Sequence, residues 1–202
     1  MRLVPYKKGF RCLGVAESFR RDLPWSVLAG VVMRRDLIID GFSFSRATVG
    51  GLDATESVVE LYRRMGRSDI SVIMVGGCII SWFNMVDVER VFEATGVPTM
   101  CVTYEESDGL EKYIEAYFDG EDARRRLKMY RRLGPRERVY IRRTGHTVFV
   151  RYSGMSLRDA RNVVNAYTLS GSVPEPLRVA GLLARGVLRF LDEVRDLRRA
   201  LG

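Results

Sequence analysis

Hydrophobic positions along this chain fall into two spacings. Short apolar runs lie at 10–15, 25–33 and 37–44, the second mostly β-branched and apolar, and only Arg34-Arg35-Asp36 separates the last two. That connection is too short for a crossover helix, so the second and third runs predict an antiparallel hairpin. From Asp53 the spacing changes. Val58, Leu61, Tyr62 and Met65 recur every three or four residues, which predicts a helix over 53–65 with Asp53 as its N-cap. Buried strands at 70–75 and 99–103 then alternate with helices at 86–95 and 110–118. A basic helix covers 124–132, and runs at 138–143 and 147–152 form a hairpin around Thr144-Gly145-His146. Two helices end the chain, one over 156–169 with Ser156 as N-cap and one over 176–201.

Strand–helix alternation implies parallel pairing with right-handed crossovers. An antiparallel hairpin group joined to parallel strands through helices is the layout of a ribonuclease H-like sheet. The expected fold class is therefore α/β, a mixed sheet flanked by helices, in one domain over 1–202. No apolar run approaches the roughly 18 residues of a membrane-spanning helix. The basic N-terminus is not followed by an apolar stretch with a small-residue cleavage site, so a cytoplasmic location is expected, with no membrane partner. Cys12, Cys78 and Cys101 lie in apolar runs without CxxC spacing, and are expected in the core rather than in disulfides or a thiolate metal site.

Charge changes the picture more than composition does. Residues 1–120 carry 14 basic and 17 acidic side chains, and residues 121–202 carry 19 and 8. Ten of the basic residues lie between Arg124 and Arg143. A one-sided basic surface attracts polyanions by phosphate neutralisation, and a solvated helix face is the plainer explanation of the same run. The phosphate-contact candidates are Arg124, Arg125, Arg126, Lys128, Arg131 and Arg132.

Chemistry in such a sheet belongs at the carboxyl ends of the parallel strands. Glu17, Asp53 and Asp87 are the carboxylates expected to converge there, as candidate metal ligands, with Glu17 and Asp53 the candidate catalytic pair. Two-metal phosphoryl transfer needs several such groups a few ångströms apart. Helix capping by Asp53 and Asp87, and a solvated loop position for Glu17, are the alternatives. The pairs Gly50-Gly51 and Gly76-Gly77 suit tight turns or a close phosphate. Trp82 and Phe83 could stack on a base, or serve as core or subunit contact. His146 lies at a hairpin turn with no partner for a catalytic triad.

The segment Pro174-Glu175-Pro176-Leu177-Arg178 resembles the proline–glutamate–proline–x–arginine element of endonuclease V. Gly14-Val15 and Val75-Gly76-Gly77 resemble its first and central strand ends. Asp53-Ala54-Thr55, the stretch from Trp82 to Asp87 and the same C-terminal segment resemble an uncharacterised archaeal family related to endonuclease V, over residues 11–191. The resemblance implies a ribonuclease H-like fold and, in endonuclease V itself, metal-dependent cleavage near deaminated purines. Where that enzyme has its first catalytic Asp this chain has Ala16, with Glu17 one step later, and where it has its second this chain has Gly76. A site lacking two carboxylates should bind metal poorly. The expectation is a protein that interacts with DNA or RNA through its basic second half and carries a degenerate or repurposed metal site. The alternatives are an active nuclease with rearranged carboxylates, needing Mg²⁺ or Mn²⁺, and a nucleotide or small-metabolite binder.

Overall fold

A computed structural model of the chain describes residues 3–200. Three strands open it: β1 (Arg11–Ser18), β2 (Trp25–Arg34) and β3 (Ile39–Thr48). Each pairs antiparallel with the next, so the expected hairpin is part of a three-stranded meander. Helix α1 (Ala54–Arg64) leads to β4 (Val72–Val75), which pairs parallel with β1. A miniature hairpin, β5 (Ile79–Ile80) with β6 (Asn84–Met85), follows, where the sequence showed only a loop. Helix α2 (Val88–Thr95) returns the chain to β7 (Thr99–Thr103), parallel to β4. Then come α3 (Glu111–Tyr117), α4 (Gly120–Arg132), the antiparallel pair β8 (Glu137–Tyr140) and β9 (Thr147–Ser153), α5 (Leu157–Tyr167) and α6 (Glu175–Ala200). The last residue expected in the final helix, Leu201, lies outside the described residues. The main sheet has the order β3-β2-β1-β4-β7-β9-β8.

The buried runs alternate as pleating requires. Leu13, Val15, Leu28, Ile73, Val75 and Cys101 face α1 and α2. Cys12, Met33, Val72, Met74, Met100 and Val102 face α5 and the start of α6. All three cysteines are buried and free. The proline-rich segment starts α6: the carbonyl of Pro174 accepts from the amides of Leu177 and Arg178, and Glu175 pairs with Arg178 at 2.6 Å. Proline is favoured in the first helical turn because its missing amide would be unpaired there anyway. This start crosses β1 so closely that a Cβ on Gly14 would lie 2.5 Å from the Pro176 backbone. Helix α5 begins on a capping box between Ser156 and Asp159. Among the described residues, no helix is long and apolar enough to cross a membrane.

Candidate functional site

The carboxyl ends of β1, β4 and β7 lie along one edge of the sheet, and the loops there carry the acidic candidates. Glu17, near the end of β1, projects opposite to Ala16. Its carboxylate accepts from the Ser81 amide at 2.7 Å and from the Ser81 hydroxyl. The Ser81 hydroxyl also lies 2.6 Å from that of buried Ser26. Burial pushes the Glu17 carboxyl above its ordinary range, against the lowering effect of these hydroxyl and amide bonds.

Asp53 occupies the residue before α1 but does not cap the helix, contrary to the expectation from sequence. Its carboxylate turns back to the amide and hydroxyl of Thr48, at 3.1 and 2.7 Å, and accepts from the Asn84 side chain at 2.6 Å. Gly51 permits this approach, since a Cβ there would sit 2.9 Å from Asp53 Oδ1. Asn84 takes the vacated capping duty, accepting from the Ala54 amide at 2.9 Å. Burial alone would raise the Asp53 carboxyl, but the Thr48 and Asn84 bonds outweigh it and hold the group below the usual carboxylate range.

Asp87 does cap its helix, accepting from the amides of Glu89 and Arg90. Its other oxygen faces Arg132 at 3.2 Å. Glu17 and Asp53 are thus tied to positions 81 and 84 of one turn, and Asp87 begins the helix after it. Asp53 and Asp87 line a cleft of about 470 Å³ together with Arg90, Arg125 and Arg132. Asp40 lies at the amino end of β1, paired with Arg11 and Arg67.

The basic candidates divide. Arg124, Arg125, Lys128 and Arg131 are exposed along α4. Arg132 is half-exposed and serves Asp87. Arg126, 4% exposed, points inward and is an interior strut rather than a surface cation. Its guanidinium donates to the carbonyls of Gly50, Gly51 and Phe83, at 2.5, 3.2 and 3.0 Å, pairs with Asp122, and covers the Phe118 ring. The signal that marks it is its spacing: Ala123, Arg126, Leu127 and Tyr130 share one stripe of α4, the stripe that turns inward, with Ala123 and Arg126 buried. His146 is exposed at the β8–β9 turn, with Nδ1 2.9 Å from the Thr144 carbonyl.

The positions corresponding to the two endonuclease V aspartates are neighbours here: a Cβ on Gly76 would lie 3.8 Å from Ala16 and 4.0 Å from Leu177 of α6. Ala16 also faces Gly181. The side chains of alanine and leucine, and glycine, which has none, offer a cation no oxygen donors. Among the described residues no group of three or more His, Cys, Asp or Glu side chains is arranged to hold a metal ion. The donor set does not fit the metal centre that the resemblance implies.

Residues 8–188 match the family model described as endonuclease dU. A UPF0215 protein of Pyrobaculum calidifontis is 37% identical over 181 residues, 89% of this chain and 98% of that one. A solved protein of unknown function from Archaeoglobus fulgidus superposes with a TM-score of 0.74 at 26% identity, covering 88% of this chain and 98% of that one. Endonuclease V of Ciona intestinalis, solved in complex with a 24mer DNA containing an inosine followed by a ribo-adenosine, gives a TM-score of 0.60 at 13% identity over 90% of this chain and 87% of that one. The fold is ribonuclease H-like, the one endonuclease V has.

Proposed function

Because the chain belongs to the endonuclease dU family, which is related to endonuclease V, we propose that it acts on nucleic acid as an endonuclease directed at deoxyuridine. The deoxyuridine target follows the family, and the cleavage chemistry rests on the convergence of Glu17 and Asp53 on the turn 81–84, beside exposed cations of α4. Arg124, Arg125, Lys128 and Arg131 hold the phosphates of a DNA or RNA strand. The two carboxyls have environments that push them apart, which suits a base and an acid. Asp53, held ionised, is placed to accept a proton from an attacking water. Glu17, whose carboxyl is raised by burial above its ordinary range, is the group assigned to donate one to a leaving oxygen. Asp87 orders the third loop and its arginine partner. No step through a metal is assigned, because the donor set does not fit one.

The test is strand cleavage of an oligonucleotide with a single deoxyuridine, with and without Mg²⁺ or Mn²⁺, by the wild type and by Glu17→Gln and Asp53→Asn. Each substitution should slow the nick by at least about 100-fold, the usual scale for losing an acid or base. Nicking at the wild-type rate in both variants would remove these carboxyls from the reaction. A second reading, strand binding without cleavage, is favoured by Ala16 and Gly76 standing where endonuclease V has aspartates. It predicts salt-dependent retention of the same oligonucleotide and no product.

A further inference from the structure

Residues 81–83 join β5 to β6, and all three lie in the left-handed region, with φ of 43° at Ser81 and 57° at both Trp82 and Phe83. None is glycine, so each residue bears a steric cost of roughly 1–2 kcal/mol. The turn is held in place from several sides. Ser81 is bonded to Glu17 and Ser26, its carbonyl accepts from the Gly50 amide at 2.7 Å, and the Phe83 carbonyl accepts from Arg126. This conformation buries Ser81 and leaves Trp82 half-buried at the carboxyl edge of the sheet, one residue from the contact with Glu17.

Trp82 packs in a T-shaped arrangement against Tyr117, 5.4 Å away at 76°, and Phe83 against Phe118 at 5.4 Å and 82°. Over the indole lies the guanidinium of exposed Arg21, 3.4 Å from the ring centroid. That is the spacing of a stacked nucleobase, and a flat cation fills the place. Arg20, next in sequence, is tied to Asp22 and Asp192. Arg21 has no carboxylate partner among the described residues, so its guanidinium is held over the indole by the ring contact alone.

We propose that Trp82 is the stacking platform for one unpaired base of the bound strand, and that Arg21 leaves the indole for the adjoining phosphate when the base arrives. This rests on the protein's action on nucleic acid and adds where the strand is opened. The stacked base then sits beside Glu17. A nucleobase fits better than an acidic peptide, because the site joins a planar aromatic face to a single cation with no carboxylate partner among the described residues.

Trp25→Phe leaves Trp82 as the sole indole, since the chain has two tryptophans. Titration of that protein with a single-stranded oligonucleotide should quench its fluorescence saturably, and an abasic strand of the same length should not. In the otherwise unmodified chain, Trp82→Ala should weaken strand affinity by about 5- to 100-fold, the range for losing a stacking aromatic. Trp82→Phe should keep most of the affinity and a wild-type melting temperature. Equal quenching by the abasic strand, or Trp82→Ala affinity within about twofold of wild type, would overturn the platform while leaving the nuclease proposal standing. Wild-type protein that retains no strand at low salt overturns the nucleic-acid function, and the platform with it.

Discussion

Arg126 offers the sharpest separation between architecture and binding, because it lies inside a run of surface cations yet is itself buried. Arg126→Ala strands the carbonyls of Gly50, Gly51 and Phe83, which the guanidinium now satisfies. Hydrogen bonds to charged groups are worth about 1.5–3 kcal/mol each, and the low end for three bonds gives about 4.5 kcal/mol. The Asp122 pair adds little, since its carboxylate is half-exposed. In a domain of this length each kcal/mol moves the melting temperature by about 2–4 °C, so a fall of about 9–18 °C is expected. Arg126→Lys should lose roughly half as much, because one ammonium cannot serve three carbonyls in a fixed fork. Thermal unfolding followed by circular dichroism reads the difference. A melting temperature within about 2 °C of wild type for Arg126→Ala, with strand affinity falling as in Arg125→Ala, would refute the inward strut.

Glu17 sets a pH dependence. Folding raises its carboxyl, so its contribution to stability is full below the ordinary glutamate pKa of about 4.3 and is lost as pH rises through the folded value. Glu17→Gln should therefore compare worst with wild type near pH 4 and gain on it toward pH 7 in thermal melts; a gap that stays constant would contradict the burial effect. Gly14→Ala, with its Cβ driven into the Pro176 backbone, should cost about 1–3 kcal/mol in urea unfolding, as overpacking does. An unchanged midpoint would mean that α6 is not locked onto β1. Replacing Arg124, Arg125 and Lys128 by alanine should leave the melting temperature unchanged and lower the salt slope of single-strand binding by about 0.7 for each phosphate no longer neutralised. A slope equal to wild type would take α4 out of the interface.

Much of the architecture was legible because strands buried on both faces write themselves as continuous apolar runs, as in Val72–Val75 and Thr99–Thr103. The short link Arg34-Arg35-Asp36 was enough to show the hairpin. Strands of two residues carry no periodicity, so β5 and β6 were invisible, and with them the turn that organises the site. Ser81 meets Glu17 across 64 positions in sequence, a pairing that no local pattern announces. Asp53 carried the right residue type for a cap, yet Gly51 and Asn84 redirect it. The one-residue displacement of Glu17 from Ala16 was legible, and pleating turns it into a change of sheet face: Ala16 packs toward Gly181 of α6, while Glu17 reaches the turn below α1.

The central claim is action at deoxyuridine, and the most direct measurement pairs two labelled oligonucleotides that differ only in one uracil or thymine, incubated with the wild-type protein with and without divalent cation. The account predicts a discrete nick in the uracil strand and an intact thymine strand. Equal cutting of both, or binding of both with no cut in either, would contradict it.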